Sequence, residues 1–349
     1  MVKSSVHDYN VEFVNNLKDT LSNELKDGDF IIIDSRIKEL YGPEINEIIS
    51  QNKTLSVDAI EPNKSYQGVE IIISDLISNG LRKNNRLVAI GGGIIQDITA
   101  FIASIMYRGL DWILLPTTLL SQGDSCIGSK TSINFGEYKN QVGGFYPPNK
   151  IIINCGFLDS LPDEQLKSGL GEMLHYFIVS GKVDFQRFVN DYPLALTNKS
   201  VLTSLISRSL MIKKGFIEID EFDCNERQVL NYGHSFGHAI ESLTDYSIPH
   251  GIAVCRGMDI ANFISMKLGY ITHETRLEIR ELGKKIWAGF DISNISIEGF
   301  KNALSKDKKN VGNKLGLILM KGYGEVFKEM RPMDDEFTNW IIEYFKTEI

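Results

Sequence analysis

The sequence predicts an α/β N-terminal domain with a parallel, doubly wound sheet, over residues 1–155. An all-α C-terminal domain is expected over residues 156–349. Three observations carry this prediction. Short β-branched runs alternate with helically spaced segments through the first half, the pattern of a parallel sheet. One of those runs leads straight into Gly91-Gly92-Gly93. From about residue 162 onward, apolar residues recur mainly at the helical period of 3.6. At 349 residues the chain exceeds one usual domain, so two are expected.

Taken in order, residues 30–34 (FIIID) read as a buried strand and residues 68–81 as a helix ending near Gly80. Residues 86–90 (RLVAI) form the next strand, and residues 94–106 a helix with Asp97 in its first turns. Residues 111–115 (DWILL) are a third strand, ending in Pro116-Thr117-Thr118. Ligands of such sheets bind at the carboxyl ends of the strands. Glycines there let a backbone approach a pyrophosphate, and the following helix N-terminus offers free N–H groups. A tight strand-to-helix turn explains three glycines equally well, and Gln96 breaks the full G-x-G-x-x-G pattern. Residues 124–146 read as a glycine-rich loop carrying Lys130, Lys139 and Asn140, groups able to hold a phosphate. A last strand (KIIINC) precedes the helical half. Helices are expected at 163–179, 184–190, 201–218, 228–244, 252–268 and 273–287. Cations recur there as Lys213, Arg227, Lys306, Lys308 and Lys309.

Composition excludes several classes. The net charge is -8 and the pI near 5.4, against a nucleic-acid surface. The four cysteines form no CxxC pair, which speaks against a disulfide framework and for a reducing, cytoplasmic setting. No apolar run approaches the ~20 residues of a membrane span. The hydrophobic share of 43% suffices for a packed core.

Four of the six histidines fall between residues 175 and 250. His234 and His238 lie one helical turn apart in NYGHSFGHAIE, His250 follows in HGIAV, and Glu172 and His175 share a face in LGEMLHYF. Neutral imidazoles with a carboxylate are a donor set that Zn2+ takes, and an open fourth position makes such a site catalytic. Any one of these histidines alone reads as an ordinary core or surface residue.

Together, GGGIIQD, YRG, PTTLL, DSCIGSKT, GGFYPP, GLGEMLH, LNYGHSFGHAIE, HG-AV and DKK resemble the sugar phosphate cyclase superfamily and, within it, the dehydroquinate synthase family. The likeness runs from about Asp34 to Gly324. It implies a Rossmann-like first domain, bound NAD, a divalent metal (Zn2+ or Co2+) and a homodimer. By this resemblance Glu172, His234 and His250 are the metal ligands. Asp34, Arg36, Glu61, Lys64, Gly92, Gly93, Ile94, Asp97, Thr117, Thr118, Lys139, Asn140 and Ser160 are NAD contacts. Arg108, Lys130, Asn140 and a lysine of the Lys308-Lys309 pair hold phosphate, with Arg108 reaching in from a partner subunit. Lys213, Arg227 and Asn231 hold a carboxylate and nearby hydroxyl, and His238 and Asp124 line the pocket.

The implied reaction converts a 3-deoxy-heptulosonate 7-phosphate to 3-dehydroquinate and phosphate, by transient oxidation, elimination, reduction and aldol closure. Two residues depart from the family pattern: His175 stands where the family has Lys, and Ile252 where many members have Glu. His175 is open to three readings: a hydrogen-bond donor to substrate, a further metal ligand, or the mark of a pocket shaped for another sugar phosphate. A sister cyclase, a metal-dependent polyol dehydrogenase and an inactive binding module are the rival functions.

Overall fold

The computed structural model describes residues 1–136, 138–307 and 309–349. By contact density it divides into two compact units. The first is residues 1–161 together with Lys213–Phe222, and the second is Pro162–Ile212 with Asp223–Ile349.

The first unit is built on β1 (Asn10–Phe13), α1 (Leu17–Glu24), β2 (Phe30–Asp34), α2 (Ser35–Ile49), β3 (Lys53–Val57), α3 (Tyr66–Ser78), β4 (Leu87–Gly91), α4 (Gly93–Ile105), β5 (Trp112–Pro116), β6 (Lys130–Phe135), β7 (Tyr138–Phe145) and β8 (Lys150–Ile153). The main sheet has the order β1-β8-β5-β4-β2-β3 and every pairing in it is parallel. Helices cover a parallel sheet on both faces, so its central strands are continuous apolar runs. All residues of β4 and β5 are buried. Ile31, Ile33, Val88, Ile90, Ile113 and Leu115 pack with Leu17, Leu21, Ile45 and Ile49 of α1 and α2 on one face. The edge strand β1 is mostly exposed, β3 is only partly buried, and both have mixed polarity, so the continuous apolar signal of the inner strands is absent from them.

Residues 124–146 are more ordered than the expected loop. One π-helical turn at Ser121–Ser125 leads to an antiparallel hairpin of β6 and β7. Buried Thr131 and Ile133 anchor it. A Cβ on Gly143 would lie 1.7 Å from the Thr131 carbonyl oxygen, so this glycine, part of the pattern that suggested a loop, instead permits close strand pairing.

The second unit holds α5 (Asp163–Ser180), α6 (Lys182–Ala195), most of α7 (Lys199–Ile219), α8 (His234–Leu243), α9 (His250–Lys267), α10 (His273–Ile286), α11 (Ile297–Ser305) and α12 (Asp335–Thr347). It is helical as expected but not purely so. An antiparallel hairpin of β9 (Lys314–Gly322) and β10 (Glu325–Pro332) joins it, with Leu315, Leu317, Ile318, Leu319 and Met320 buried. The single helix expected over 228–244 is two pieces, a 3-10 turn at Glu226–Asn231 and then α8. Gly233 between them has φ +83, and a Cβ there would strike the Val254 carbonyl oxygen at 2.6 Å. Only glycine accepts that geometry without strain. No helix among the described residues is long and apolar enough to cross a membrane.

Candidate active site

In the first unit, the sheet order brings the carboxyl ends of β2, β4 and β5 side by side. Asp34 ends β2 and caps α2, its Oδ1 accepting from the Arg36 N–H at 2.9 Å. Burial raises its carboxyl, and that same hydrogen bond only partly offsets the rise. Arg36 itself is exposed and paired to Glu39 at 2.5 Å. Gly91 ends β4 and Gly92 caps α4 with no side-chain hydrogen bond, leaving the helix N–H groups open. A Cβ on Gly92 would stand 2.8 Å from Thr118 Cγ2, while one on Gly93 would meet nothing within 4 Å. The space beside Gly93 is therefore a cradle at a helix N-terminus, suited to a phosphate group. Ile94 follows, half-buried, in the first turn of α4.

Thr117 follows β5, and its N–H donates to the Gly91 carbonyl at 3.1 Å. Its Oγ1 is buried with no hydrogen-bond partner among the described residues. Lys64, only 7% exposed, pairs with Asp97 at 2.5 Å. Burial pushes the Asp97 carboxyl up, and the Lys64 ammonium lowers it only in part. Glu61 accepts from Asn134 at 2.6 Å and lies 3.8 Å from Lys139. Asn140 has φ +55, its N–H held by Asn134 Oδ1 at 3.0 Å. Ser160 Oγ bonds the Tyr41 hydroxyl at 3.0 Å. Lys213 is buried and donates to both the carbonyl and the carboxylate of Asp124, at 2.7 and 2.8 Å. Lys130 opens β6 and is exposed. Arg108, also exposed, has φ +63 in the turn after α4.

In the second unit, three helices converge on one carboxylate. Glu172 lies in α5 and is 2% exposed. His234 opens α8 and points Nε2 at Glu172 Oε1, 3.2 Å away. His250 opens α9 and places Nε2 3.5 Å from Glu172 Oε2. Donor atoms of all three lie within 4.8 Å of one another. Donors bound at about 2.0–2.2 Å in a tetrahedral shell sit roughly 3.3 Å apart, so these spacings fit a Zn2+-sized ion. Glu172 Oε2 is buried and takes no hydrogen bond among the described residues, so it is an acceptor that suits a cation. Burial alone would raise the Glu172 carboxyl, but His234 and His250, with His175, hold it below the usual carboxylate range.

Glycines bring these helices together. A Cβ on Gly251 would sit 1.8 Å from the Ser168 carbonyl oxygen, and one on Gly171 would sit 2.4 Å from that of Gly251. Between α8 and α9, a Cβ on Gly257 would lie 2.1 Å from the Gly233 carbonyl oxygen. The backbones thus approach closer than any side chain allows, beside Glu172, His234 and His250. The sequence carries these glycines openly, but their role depends on which helices pair.

The remaining predicted residues gather around this trio to different degrees. His175 is 1% exposed, with Nδ1 3.9 Å from Glu172 Oε1 and its ring against Tyr176. The His238 ring centroid is 5.6 Å from those of both His234 and His250. Surrounding protein, then His234, His250 and Lys309, pull its pKa well below the ordinary imidazole value. His238 nonetheless keeps an exposed surface. Arg227 is 4% exposed, and Asn231 Nδ2 donates to the Gln228 carbonyl at 3.2 Å. Ile252 is buried among core residues. Lys309 pairs with Asp307 at 3.0 Å, and Lys308 lies outside the described residues. Sequence reasoning gave no role to Glu241, whose Oε2 lies 3.0 Å from His250 Nδ1.

Comparison with known proteins bears on both units. A family model described as 3-dehydroquinate synthase N-terminal matches residues 54–168, and one described as 3-dehydroquinate synthase C-terminal matches residues 169–310. A 3-dehydroquinate synthase of Alkaliphilus metalliredigens is 35% identical over 319 residues, 90% of this chain and 89% of that protein. One of Dictyoglomus thermophilum is 36% identical over 90% of this chain and 87% of its own. Among solved structures, 2-epi-5-epi-valiolone synthase from Streptomyces hygroscopicus subsp. jinggangensis, with NAD+ and Zn2+ bound, superposes with a TM-score of 0.86 at 22% identity, covering 100% of this chain and 99% of that one. A 2-deoxy-scyllo-inosose synthase complexed with carbaglucose-6-phosphate, NAD+ and Co2+ gives a TM-score of 0.83 at 22% identity, over 97% and 96% of the two chains. These structures share the fold, and the two family models between them span most of the sequence. The chain belongs to the 3-dehydroquinate synthase family.

Proposed function

We propose that this chain is an NAD- and divalent-metal-dependent 3-dehydroquinate synthase, a lyase that converts a 3-deoxy-heptulosonate 7-phosphate to 3-dehydroquinate and phosphate. The observation that carries the reading is its likeness, along nearly the whole chain, to proteins of that name. Zinc as the metal, a homodimer, and a place in the shikimate pathway to aromatic amino acids belong to the same proposal. When bound, NAD takes and returns a hydride and the cation polarises a ring hydroxyl.

The chain's residues do the rest. Glu172, His234 and His250 hold the cation, a role supported by their spacing and by the buried Oε2. The cradle at Gly92 and Gly93 takes the pyrophosphate of NAD, with Thr117 and Thr118 beside it. Lys213, Arg227 and Asn231 bind the substrate's carboxylate and a neighbouring hydroxyl. Lys213 suits this because Asp124 holds its ammonium in one place. Lys130, Asn140 and a lysine of the Lys308-Lys309 pair bind the phosphate, and exposed Arg108 is available to the site of a second copy. His238 and His175 line the pocket.

The test is direct. The protein is mixed with the heptulosonate phosphate, NAD+ and Zn2+, and inorganic phosphate and NADH are followed. Phosphate should be released in step with 3-dehydroquinate, with no net NADH. Steady NADH accumulation would instead indicate a polyol dehydrogenase. His175 favours one second reading, a sister cyclase acting on another sugar phosphate. That reading would gain if the heptulosonate gave no phosphate while another heptulose or hexose phosphate did.

A further inference from the structure

We propose that Glu241 is the positioning residue for His250, fixing the tautomer and ring plane in which His250 offers Nε2 to the cation. This rests on the metal-binding reading above. Glu241 lies seven residues after His234 on α8, two helical turns along the same face. It therefore reaches the trio from behind. Its Oε2 stands 3.0 Å from His250 Nδ1, while the opposite nitrogen, Nε2, stands 3.5 Å from Glu172 Oε2.

The chemistry follows from counting protons. A neutral imidazole carries one N–H, and an ionised carboxylate only accepts. The nitrogen facing Glu241 must be the donor, so the proton sits on Nδ1. Nε2 is then left with its lone pair directed at the cation's place. The other tautomer would set an unprotonated Nδ1 against a carboxylate and blunt Nε2 with a proton. A carboxylate on the far nitrogen also makes the near one a stronger donor to a metal. His234 has a weaker version of the same arrangement, since its Nδ1 faces the Tyr232 carbonyl oxygen at 3.3 Å. The two histidines are thus held by different partners, and His250, with the larger exposed surface, has the charged one.

Glu241 also lies with His238 and His250 in a second group of donor atoms within 4.8 Å of one another. A neutral His250 that offers Nε2 to the first trio keeps its one proton on Nδ1, so Nδ1 donates to Glu241 and does not serve a second cation; Glu241 is therefore assigned to orienting the ligand.

The experiment uses the full chain, stripped of metal and titrated with Zn2+ against a chromophoric chelator. Glu241→Ala should weaken zinc binding about 10- to 100-fold, the usual effect of removing such a partner. Glu241→Gln keeps an oxygen that accepts from Nδ1–H and should recover most of the loss. 15N NMR of the imidazoles in the Gln variant and the parent should show Nδ1 protonated in both. His250→Ala serves as the control for the metal reading. If it binds zinc as the parent does, the ligand assignment is wrong and the role of Glu241 falls with it. If His250→Ala loses zinc but Glu241→Ala binds it as tightly as the parent, the positioning role alone is overturned. Two zinc ions per chain in the parent, one of them lost in both Glu241→Ala and His238→Ala, would make Glu241 a ligand and also overturn it.

Discussion

Glu172 is a carboxylate enclosed by imidazoles, and a buried charge needs a partner close by. Removing any member of its trio should therefore release the metal. Glu172→Ala, His234→Ala and His250→Ala are each expected to be purified with little zinc and no turnover, as elemental analysis beside the phosphate assay will register. His175 and His238 stand outside the trio, so alanine at either should leave zinc in place and impair only turnover. A second buried pair gives a stability prediction. Lys64→Met strands the Asp97 carboxylate and should lower stability by about 3 kcal/mol. Adding Asp97→Asn should recover much of that in urea denaturation. No recovery would mean that Lys64 acts through packing alone. The histidines were legible in the sequence because a helix fixes which of their positions share a face. Glu241 ends the same run, yet its part depends on which ring nitrogen of His250 it meets. Spacing along a chain does not encode that.

At the scale of elements, the inner strands and long helices were legible because burial on both faces writes itself as continuous apolar runs. The expected strand at residues 30–34 coincides with β2, and α5, α9 and α10 fall within two residues of the expected helices. Edge strands β1 and β3 and the β6–β7 hairpin were not anticipated, because each shows only part of an apolar pattern; β9 carries a continuous apolar run, LGLILM, but it lies in a half read as helical throughout. Glycine misled most, reading as flexibility where it serves close approach. Gly251→Ala should accordingly cost about 1–3 kcal/mol by forcing α5 and α9 apart, with loss of zinc affinity in the same protein. Gly215→Ala, on α7 where a Cβ meets nothing within 4 Å, should be neutral or stabilising by up to about 1 kcal/mol. Thermal melts of both variants check the contrast.

Between α6 and α7, Arg208 grips Asp184 with two bonds of 2.8 and 2.6 Å. The Arg208 hydrogen bond, helped by Ser180, holds the Asp184 carboxyl below its ordinary value. A lowered pKa contributes stability that is complete above the ordinary carboxylate range, near ~4, and fades as pH falls through the lowered value. Solvent screening keeps it to about 1 kcal/mol. The stability gap between the parent and Asp184→Asn should thus be constant near neutrality and close in acid. A gap that persists at pH 2 would contradict the ion pair.

On the scale of the whole molecule, the first unit is discontinuous. Residues 1–161 are completed by Lys213–Phe222, where Lys213 meets Asp124 and Glu221 accepts from Ser4, Ser5 and Ser129. Native-state hydrogen exchange at rising denaturant should show the amides of residues 217–222 opening together with those of β4 and β5. Opening with residues 199–212 instead would deny that the segment belongs to the first unit. No boundary signal in the sequence marks this return, since α7 runs unbroken from Lys199 to Ile219. The arrangement also sets a timetable for synthesis. Translation proceeds at about 5–20 residues per second, so a few seconds separate the emergence of Leu161 from that of Phe222. Through that interval the nascent sheet waits beside the ribosome with Ser129 and Asp124 lacking the partners still to be made. The first unit cannot finish folding until a stretch of the second has already been delivered.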